Sequence, residues 1–460
     1  MGIGALLEPL VVVTLLLGGT WINRSSDFSP PYAWNTPRSG SVKSADFSDK
    51  LDSVEDGLSA TTGTDDGSVS SPPYRSLPPY LITDQERPRR VRQIGLWSWR
   101  REVMTPNTAI FRNRCFSRLL RKFPFLVECW YWTLVYWTYQ LARAFTAATL
   151  KDATVDIARK HALELIKLEE SLQIFCEVQI QNYFLHHPIL MTWTNRLYSF
   201  IHIPGTIAFL VWLYYYTTTK NRPEDRYFIK QSGYPGCFHA NHSALYEARR
   251  RTLAFCNLLA FVMFTLWPCM PPRLLSDASV NGSVGELSRG YGFVDTVHGV
   301  NGASSVWTQN RFCNQYAAMP SLHFGYSLMI GITIVTIPLS SQHYRSGFLF
   351  SHLRLSHPGL TPKVRLPSWQ RITCVFLGVF YPFTILVAII ATANHFILDA
   401  FAGAIICGLG WWGNSILLNL LPLEDYLFWL LRTHKPEQGP AYSRPSFVYG
   451  DSDEEQAMML

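Results

Sequence analysis

Charge is what this sequence has little of. Only 16% of its 460 residues are charged, whereas soluble proteins are typically about a quarter charged, and 48% are hydrophobic. The apolar residues are gathered into long runs instead of being spread along the chain. A soluble protein is therefore not expected, and the composition predicts an integral membrane protein.

Closely spaced cysteines are also missing. The nine cysteines include no CxxC pair, so neither a zinc knuckle nor a disulfide framework is indicated. The formal net charge of +7 falls mostly between the apolar runs. Such a distribution reports membrane topology and gives no indication of a nucleic-acid partner.

The chain divides by composition into four parts. Residues 1–22 hold a short apolar run, interrupted by Glu8, without a basic flank or a small-residue cleavage site. This run predicts an extra N-terminal helix or a signal-anchor, and a signal peptide stays open. Residues 23–122 are first rich in Ser and Pro, which predicts disorder, and then basic, which predicts a cytoplasmic flank touching anionic lipid or a plain solvated linker. A membrane domain, 123–421, and a polar cytoplasmic tail, 422–460, complete the chain.

The membrane domain contains six apolar runs. They cover about 123–144, 197–217, 252–269, His323 to near Pro338, 372–392 and 395–418. Between the first two runs, 156–182 has the apolar spacing of an amphipathic helix. The expected fold is all-α: a polytopic bundle of six core transmembrane helices, with the N-terminal helix as an addition.

Two independent arguments set the orientation of these spans. The basic flank before span one and the basic loops after spans two and four should be cytoplasmic by the positive-inside rule. Strict alternation of six spans also places these three segments on one side of the membrane. Arg273, at the end of span three, and His323 and His395, at the starts of spans four and six, should then meet on the lumenal or outer side.

These residues suit phosphoryl transfer. His395 and Asp399 are spaced i, i+4 on a helix, so the carboxylate can accept a hydrogen bond from the imidazole and leave its other nitrogen as a nucleophile. His323 would serve as general acid and base, and Arg273 would hold the phosphate.

Simpler interpretations exist for each residue. A histidine at a membrane boundary is often an interfacial or packing residue, and Arg273 would also suit an interfacial anchor. A zinc site built from His323, His395 and Asp399 has three ligands but no visible fourth. A transporter or scaffold that keeps the fold without catalysis is a further alternative. The coincidence of several ionisable residues at one membrane level favours catalysis.

The motifs resemble the type 2 phosphatidic acid phosphatase superfamily. Pro320-Ser321-Leu322-His323 is similar to its second signature, and His395-Phe396-Ile397-Leu398-Asp399 to its third. The stretch Trp267 to Leu274 and the stretch Gly292 to Thr296 bring the sequence closer to the inositol phosphorylceramide synthase-like branch. The resemblance covers roughly 153–418.

This resemblance implies a six-helix membrane enzyme with His395 as the phosphorylated nucleophile, Asp399 as its orienting partner and His323 as the acid/base. Arg273 would bind phosphate, with Ser321 and Asn394 as further phosphate-binding candidates. No metal and no cofactor are implied.

The sequence departs from the superfamily pattern at two phosphate-binding positions. Ile389 stands where the third signature has an arginine, and Leu266 where the first has a lysine. Arg289, Arg311 and Asn394 are candidates to replace them, whereas Arg250 and Arg251 fall on the predicted cytoplasmic side.

The expected activity is transfer of a phosphoinositol-type head group to a ceramide-like alcohol. The alternative is a lipid phosphatase that releases phosphate to water. The substrate would be a phospholipid or sphingolipid within the bilayer, and the Golgi or another endomembrane the expected location.

Overall fold

The computed structural model describes residues 4–25, 88–96, 98–149, 152–198, 202–220, 242–277, 282–296, 316–339 and 368–436. Most of the segment predicted to be disordered (about 23–86), most of the predicted cytoplasmic tail (422–460) and most of the long basic loop (340–371) lie outside these residues. The four-part division of the chain therefore stays a prediction.

Helices dominate the described residues, as the sequence predicted. They are α1 (Gly4–Ile22), α2 (Cys115–Lys122), α3 (Phe125–Thr149), α4 (Asp152–Ser171), α5 (Glu177–Leu185), α6 (Pro188–Arg196), α7 (His202–Tyr214), α8 (His242–Leu266), α9 (Ser283–Gly290), α10 (Leu322–Thr336), α11 (Trp369–Ala391), α12 (Ile397–Gly413) and α13 (Leu421–Leu430). The single amphipathic helix expected over 156–182 is two helices, α4 and α5, because Gln173 takes a left-handed backbone conformation between them.

Two helical stretches among the described residues are long and apolar enough to cross a membrane. They are Trp369–Ala391 and the continuous stretch Ile397–Leu430, which joins α12 to α13 through a 3₁₀ segment. Pro9–Ile22 and Leu322–Thr336 are apolar but shorter. By length and composition the expectation of six spans is thus not confirmed.

Six helices nevertheless alternate in direction. The end of α7 meets the end of α10, where the Tyr216 hydroxyl donates to the Pro338 carbonyl. The same end of the bundle holds the starts of α3 and α8, where the Tyr246 hydroxyl donates to Glu128, and the start of α11, where Arg371 donates to the carbonyls that end α10. The starts of α7, α10 and α12 lie at the opposite end.

Glycines allow the central helices to touch. A Cβ added at Gly403 of α12 would lie 2.2 Å from the backbone oxygen of Ser321, and one added at Gly331 of α10 would lie 2.2 Å from that of Gly378 in α11. Real Cβ atoms do not approach backbone so closely, so α11, α10 and α12 pack side by side at backbone contact. Buried residues of α7, α8 and α10 form a core beside this contact.

The basic flank folds, which the sequence did not predict. Strands β1 (Arg89–Leu96) and β2 (Trp99–Pro106) form an antiparallel hairpin, an exception to the all-α prediction. Arg92 donates through Nε and Nη2 to the two carboxylate oxygens of Asp425 in α13, at 2.7 and 2.8 Å. Gly95 and the Asn419 side chain exchange two hydrogen bonds. The hairpin is therefore attached to the end of the bundle at which α12 finishes.

Candidate active site

His395 lies in the turn 392–396, which joins α11 to α12. Its amide donates to the Ile389 carbonyl at 3.3 Å. Within the turn, Ala393 has a φ of 51°, a left-handed conformation that a non-glycine residue rarely adopts. Such strained backbone is concentrated at functional sites, where the surrounding structure maintains it.

The imidazole of His395 is oriented by a backbone carbonyl. Its Nδ1 lies 2.8 Å from the oxygen of Ala318. A carbonyl oxygen only accepts hydrogen bonds, so Nδ1 carries the proton and Nε2 keeps its lone pair. The ring therefore has the tautomer that a nucleophile needs.

Asp399 is placed differently from the prediction. Its Oδ2 is 3.6 Å from His395 Nδ1, too far for a hydrogen bond, and accepts instead from the Phe396 amide at 2.9 Å. Ala318 thus takes the orienting contact expected of Asp399. The fully buried carboxyl remains close enough for its charge to stabilise a positive His395 ring.

His323 begins the helix that faces this turn. Ser321 caps α10 through its hydroxyl, which accepts from the Phe324 amide at 3.4 Å, and its own amide donates to the Asp399 carbonyl at 2.9 Å. This backbone link joins the two helices that carry the histidines. The ring centroids of His323 and His395 are 5.6 Å apart, so the two predicted catalytic histidines do meet.

Two further rings flank His323. Tyr198 stacks on it with centroids 4.7 Å apart, and His202 lies 4.8 Å away. The hydroxyl oxygen of Tyr381, in α11, lies 3.4 Å from His202 Nδ1. Sequence reasoning missed both neighbours, because each lies at the edge of an apolar run without a motif around it.

Arg273 lies against the turn 392–396. Its backbone amide donates to the Ala393 carbonyl, and its Nε donates to Asn394 Oδ1, both at 2.9 Å. Its Nη1 is 3.3 Å from Asp295 Oδ2. The guanidinium is thus held by Asn394 and Asp295, and the backbone amide by Ala393, which places Arg273 against the turn that contains His395.

The other phosphate-binding candidates have different surroundings. Asn394 positions Arg273, and its amide nitrogen donates to Thr392 Oγ1 at 2.7 Å. The buried Ser321 hydroxyl serves as the cap of α10. Direct contact of either residue with phosphate stays a prediction.

The proposed replacements for the missing cations are not equivalent. Arg289 donates to the Asp277 carbonyl, and Arg311 lies outside the described residues. Arg250 pairs with Glu128 and lies about 24 Å along α8 from Leu266, at 1.5 Å per residue. It is therefore remote from the histidines, as the sequence predicted.

A pair of buried acids lies behind the turn. Glu169 of α4 and Glu177 of α5 are both fully buried. Glu169 accepts from the Leu398 amide at 2.8 Å and Glu177 from the Ile397 amide at 3.0 Å. Burial, the hydrogen bond to Glu177 and the charges of Glu177 and Asp399 together raise the pKa of Glu169 to about 9. The sequence pattern predicts that both glutamates are exposed to solvent, because their burial results from tertiary packing alone.

The alternative zinc site has little geometric basis. In the described part of the chain, no three His, Cys, Asp or Glu side chains are grouped so that they could hold a metal ion. The Asp399 oxygen nearest His395 already accepts from the Phe396 amide.

A cavity of about 610 Å³ lies elsewhere, between α3, α8 and the segment around α13. Its charged groups neutralise one another: Arg250 pairs with Glu128, and Lys435 with Glu424. This cavity holds none of the predicted site residues.

The arrangement beside the histidines can carry out phosphoryl chemistry. A lone pair on His395 Nε2 and a second imidazole are in place on facing helices. A fixed guanidinium supplies positive charge to an anion at the same end of the bundle.

Comparison with known families gives one match. Residues 163–225 and 236–350 match the model of the PAP2 superfamily. The matched residues include Arg273, Ser321 and His323 but end before His395. No curated protein and no solved structure matches the chain. The match shows that this part of the chain is similar to the PAP2 superfamily, whose members are generally phosphatases or phosphotransferases and typically membrane proteins.

Proposed function

We propose that this protein is a membrane-embedded enzyme that cleaves a lipid phosphate ester through a phosphohistidine at His395. The observation that carries the proposal is the 2.8 Å contact of His395 Nδ1 with the Ala318 carbonyl, which directs the Nε2 lone pair to nucleophilic use. His323 and Arg273 supply the two other functions that the reaction needs.

In the first half-reaction, His395 Nε2 attacks phosphorus and the bond from phosphorus to the leaving oxygen breaks. Protonated His323 gives its proton to that oxygen. Arg273 stabilises the negative charge that spreads over the remaining phosphoryl oxygens. Asp399, 3.6 Å from Nδ1, balances the positive charge of the phosphorylated ring.

In the second half-reaction, an acceptor hydroxyl attacks phosphorus while neutral His323 takes its proton. The bond between phosphorus and Nε2 breaks, and both histidines return to their starting states. A lipid alcohol as acceptor makes the enzyme a transferase, and water makes it a phosphatase.

We further propose transfer of a phosphoinositol-type head group to a ceramide-like alcohol. The support is the resemblance of the stretches Trp267 to Leu274 and Gly292 to Thr296 to the inositol phosphorylceramide synthase-like branch. A phosphatidic acid phosphatase is the second candidate, because both reactions share the first half-reaction.

We also propose that α3, α7, α8, α10, α11 and α12 all cross the membrane, with the site on the lumenal side of an endomembrane such as the Golgi. Their alternating direction supports this arrangement. So does the basic hairpin with exposed Arg89, Arg100 and Arg101, which is attached at the end away from the histidines.

The test uses full-length protein purified in detergent and compares wild type with His395→Ala. One assay supplies labelled phosphatidylinositol with ceramide, and another supplies phosphatidic acid alone. We expect turnover in the wild type and a loss of at least about 1,000-fold in His395→Ala, because no other group provides the nucleophile.

His186→Ala is the matched control, because His186 is exposed directly after α5 and the variant should keep full activity. A sphingolipid product identifies the transferase, and free phosphate identifies the phosphatase. Turnover that survives in His395→Ala, or no turnover of either lipid by the wild type, would count against the proposal and favour a non-catalytic transporter or scaffold.

A further inference from the structure

Three carboxyl groups hold the backbone that follows the nucleophile. The amides of Phe396, Ile397 and Leu398 come directly after His395. They donate to Asp399, Glu177 and Glu169 at 2.9, 3.0 and 2.8 Å. The amide of the residue that caps α12 and the first two amides of the helix therefore each have a carboxyl group as acceptor.

Two of these acceptors come from distant parts of the chain. Glu177 is 220 residues from Ile397, and Glu169 is 229 residues from Leu398. A helix start is usually capped by its own neighbouring residues. Here α4 and α5 supply the caps, so the position of the turn 392–396 depends on their packing.

The two glutamates also influence each other. Burial, a hydrogen bond to Glu177 and the charge of Glu177 raise the pKa of Glu169, and two carboxyl groups can share a hydrogen bond only when one of them is protonated. Glu169 Oε2 is buried and has no hydrogen-bond partner among the described residues. A proton between the two side chains satisfies this oxygen and removes one of three closely spaced negative charges.

We propose that Glu169 and Glu177 share one proton and act as positioning residues that hold the backbone 396–398, and with it His395, in place for attack. With the proton present, each glutamate keeps one oxygen for its amide. Without it, repulsion separates the carboxylates, and the amides lose their acceptors. The kinetic part of this inference rests on the proposed function.

Several titratable groups face this pair. Besides each other, they are Asp399 at the start of α12 and the thiols of Cys176, before α5, and Cys269, after α8. The carboxyl of Asp399 adds to the repulsion that keeps the shared proton bound. Deprotonation is therefore expected near pH 9, where Glu169 titrates.

The test compares wild type with Glu169→Gln and Glu169→Ala, with Glu170→Gln as control. Glutamine reproduces the protonated side chain, because its oxygen accepts from Leu398 and its nitrogen donates to Glu177. Alanine removes the acceptor. Glu170 is the exposed neighbour of Glu169, so its change leaves the buried pair intact.

Three readouts are measured: kcat and KM against pH, hydrogen exchange of the amides 396–398, and thermal unfolding against pH. We expect Glu169→Ala to lower kcat about 10- to 100-fold with KM within about twofold, because the nucleophile is misplaced while lipid binding is retained. The amides 396–398 should exchange at least about 10-fold faster.

The pH dependence separates positioning from simple packing. The folded state holds the proton up to about pH 9, whereas the unfolded chain releases it near the ordinary glutamic acid pKa of 4.5. The contribution of Glu169 to stability is therefore complete at low pH and is lost as pH rises through that interval. Wild type and Glu170→Gln should lose melting temperature and kcat as pH approaches 9, and Glu169→Gln should lose less of both.

The proposal is overturned if Glu169→Gln follows the wild-type pH curves, or if Glu169→Ala leaves the exchange of 396–398 unchanged. Should Glu169→Ala not fold, the Glu169→Gln curves decide alone. Should the wild type turn over neither lipid, the proposed function fails, whereas exchange and unfolding still decide the positioning role.

Discussion

At the residue scale, the guanidinium of Arg273 has little freedom to move. Its Nε donates to Asn394 Oδ1, its Nη1 lies 3.3 Å from Asp295 Oδ2, and its backbone amide donates to the Ala393 carbonyl. Lysine would keep the charge but cannot reproduce the planar set of donors. The position of the charge, and not its sign alone, is what these contacts provide.

We therefore expect Arg273→Lys to lower kcat/KM about 100-fold, as the loss of a well-placed donor to the transition state does elsewhere. Steady-state assays on the lipid that the wild type turns over would measure this. Arg289→Lys is the control, because Arg289 meets a backbone carbonyl and should stay within about twofold of wild type. Equal losses in the two variants would contradict a specific role for Arg273.

At the element scale, the site depends on how closely α10 and α12 approach. A Cβ at Gly403 would lie 2.2 Å from the oxygen of Ser321, the cap of the helix that carries His323. A Cβ at Gly408, on the same helix, would meet nothing within 4 Å. The two glycines therefore make a matched pair.

Gly403→Ala should destabilise the protein by about 1–3 kcal/mol, because α10 and α12 must move apart. Gly408→Ala should be neutral or stabilising by about 0.5–1 kcal/mol, since alanine favours the helix. Thermal unfolding and kcat of both variants measure this. If Gly403→Ala has the melting temperature and the activity of the wild type, the close contact does not position His323.

Sequence patterns predicted most helices but not the hairpin. Apolar runs marked α3, α8, α10, α11 and α12, because side chains on most faces of these helices are apolar. Strand β1 has three arginines and a glutamine among few apolar residues, and its apolar residues Val91 and Leu96 are exposed, so the pattern does not mark one buried face. Its pairing is stabilised through Asp425, far along the chain, which local periodicity does not reveal.

The sequence predicted those parts of the site that consist of reactive side chains in recognisable motifs. His323 and His395 lie close together, and Arg273 contacts the two residues before His395, as the motif spacing and the topology suggested. The Ala318 carbonyl was not predictable, because a backbone oxygen has no sequence signature. Glu169 and Glu177 were missed because an amphipathic pattern assigns glutamates to water.

At the scale of the whole molecule, the chain closes on itself at the end away from the histidines. Asp425 accepts from Arg92 twice and from Thr105 once, at 2.8 Å for the threonine, and is itself largely buried. Asn107 and Thr108 follow β2 and are buried as well, the latter 3.0 Å from His434. The hairpin therefore belongs to the folded body.

Asp425→Asn should release the hairpin, because the amide cannot pair with the half-buried Arg92. We expect a loss of about 1–3 kcal/mol and faster hydrogen exchange over 89–106, with kcat within about twofold of wild type. Glu102→Gln, at an exposed position of β2, serves as control. Unchanged exchange in Asp425→Asn would show that the hairpin docks by other contacts.

The clamp between Arg92 and Asp425 has a consequence for biosynthesis. Its two halves are 333 residues apart, and a ribosome adds about 5–20 residues per second, so roughly 15–70 seconds separate their appearance. Throughout that interval β1 and β2 have no docking partner. Nascent chains that stop before Asp425 should leave the hairpin open to protease, because the residue that docks it has not yet been added.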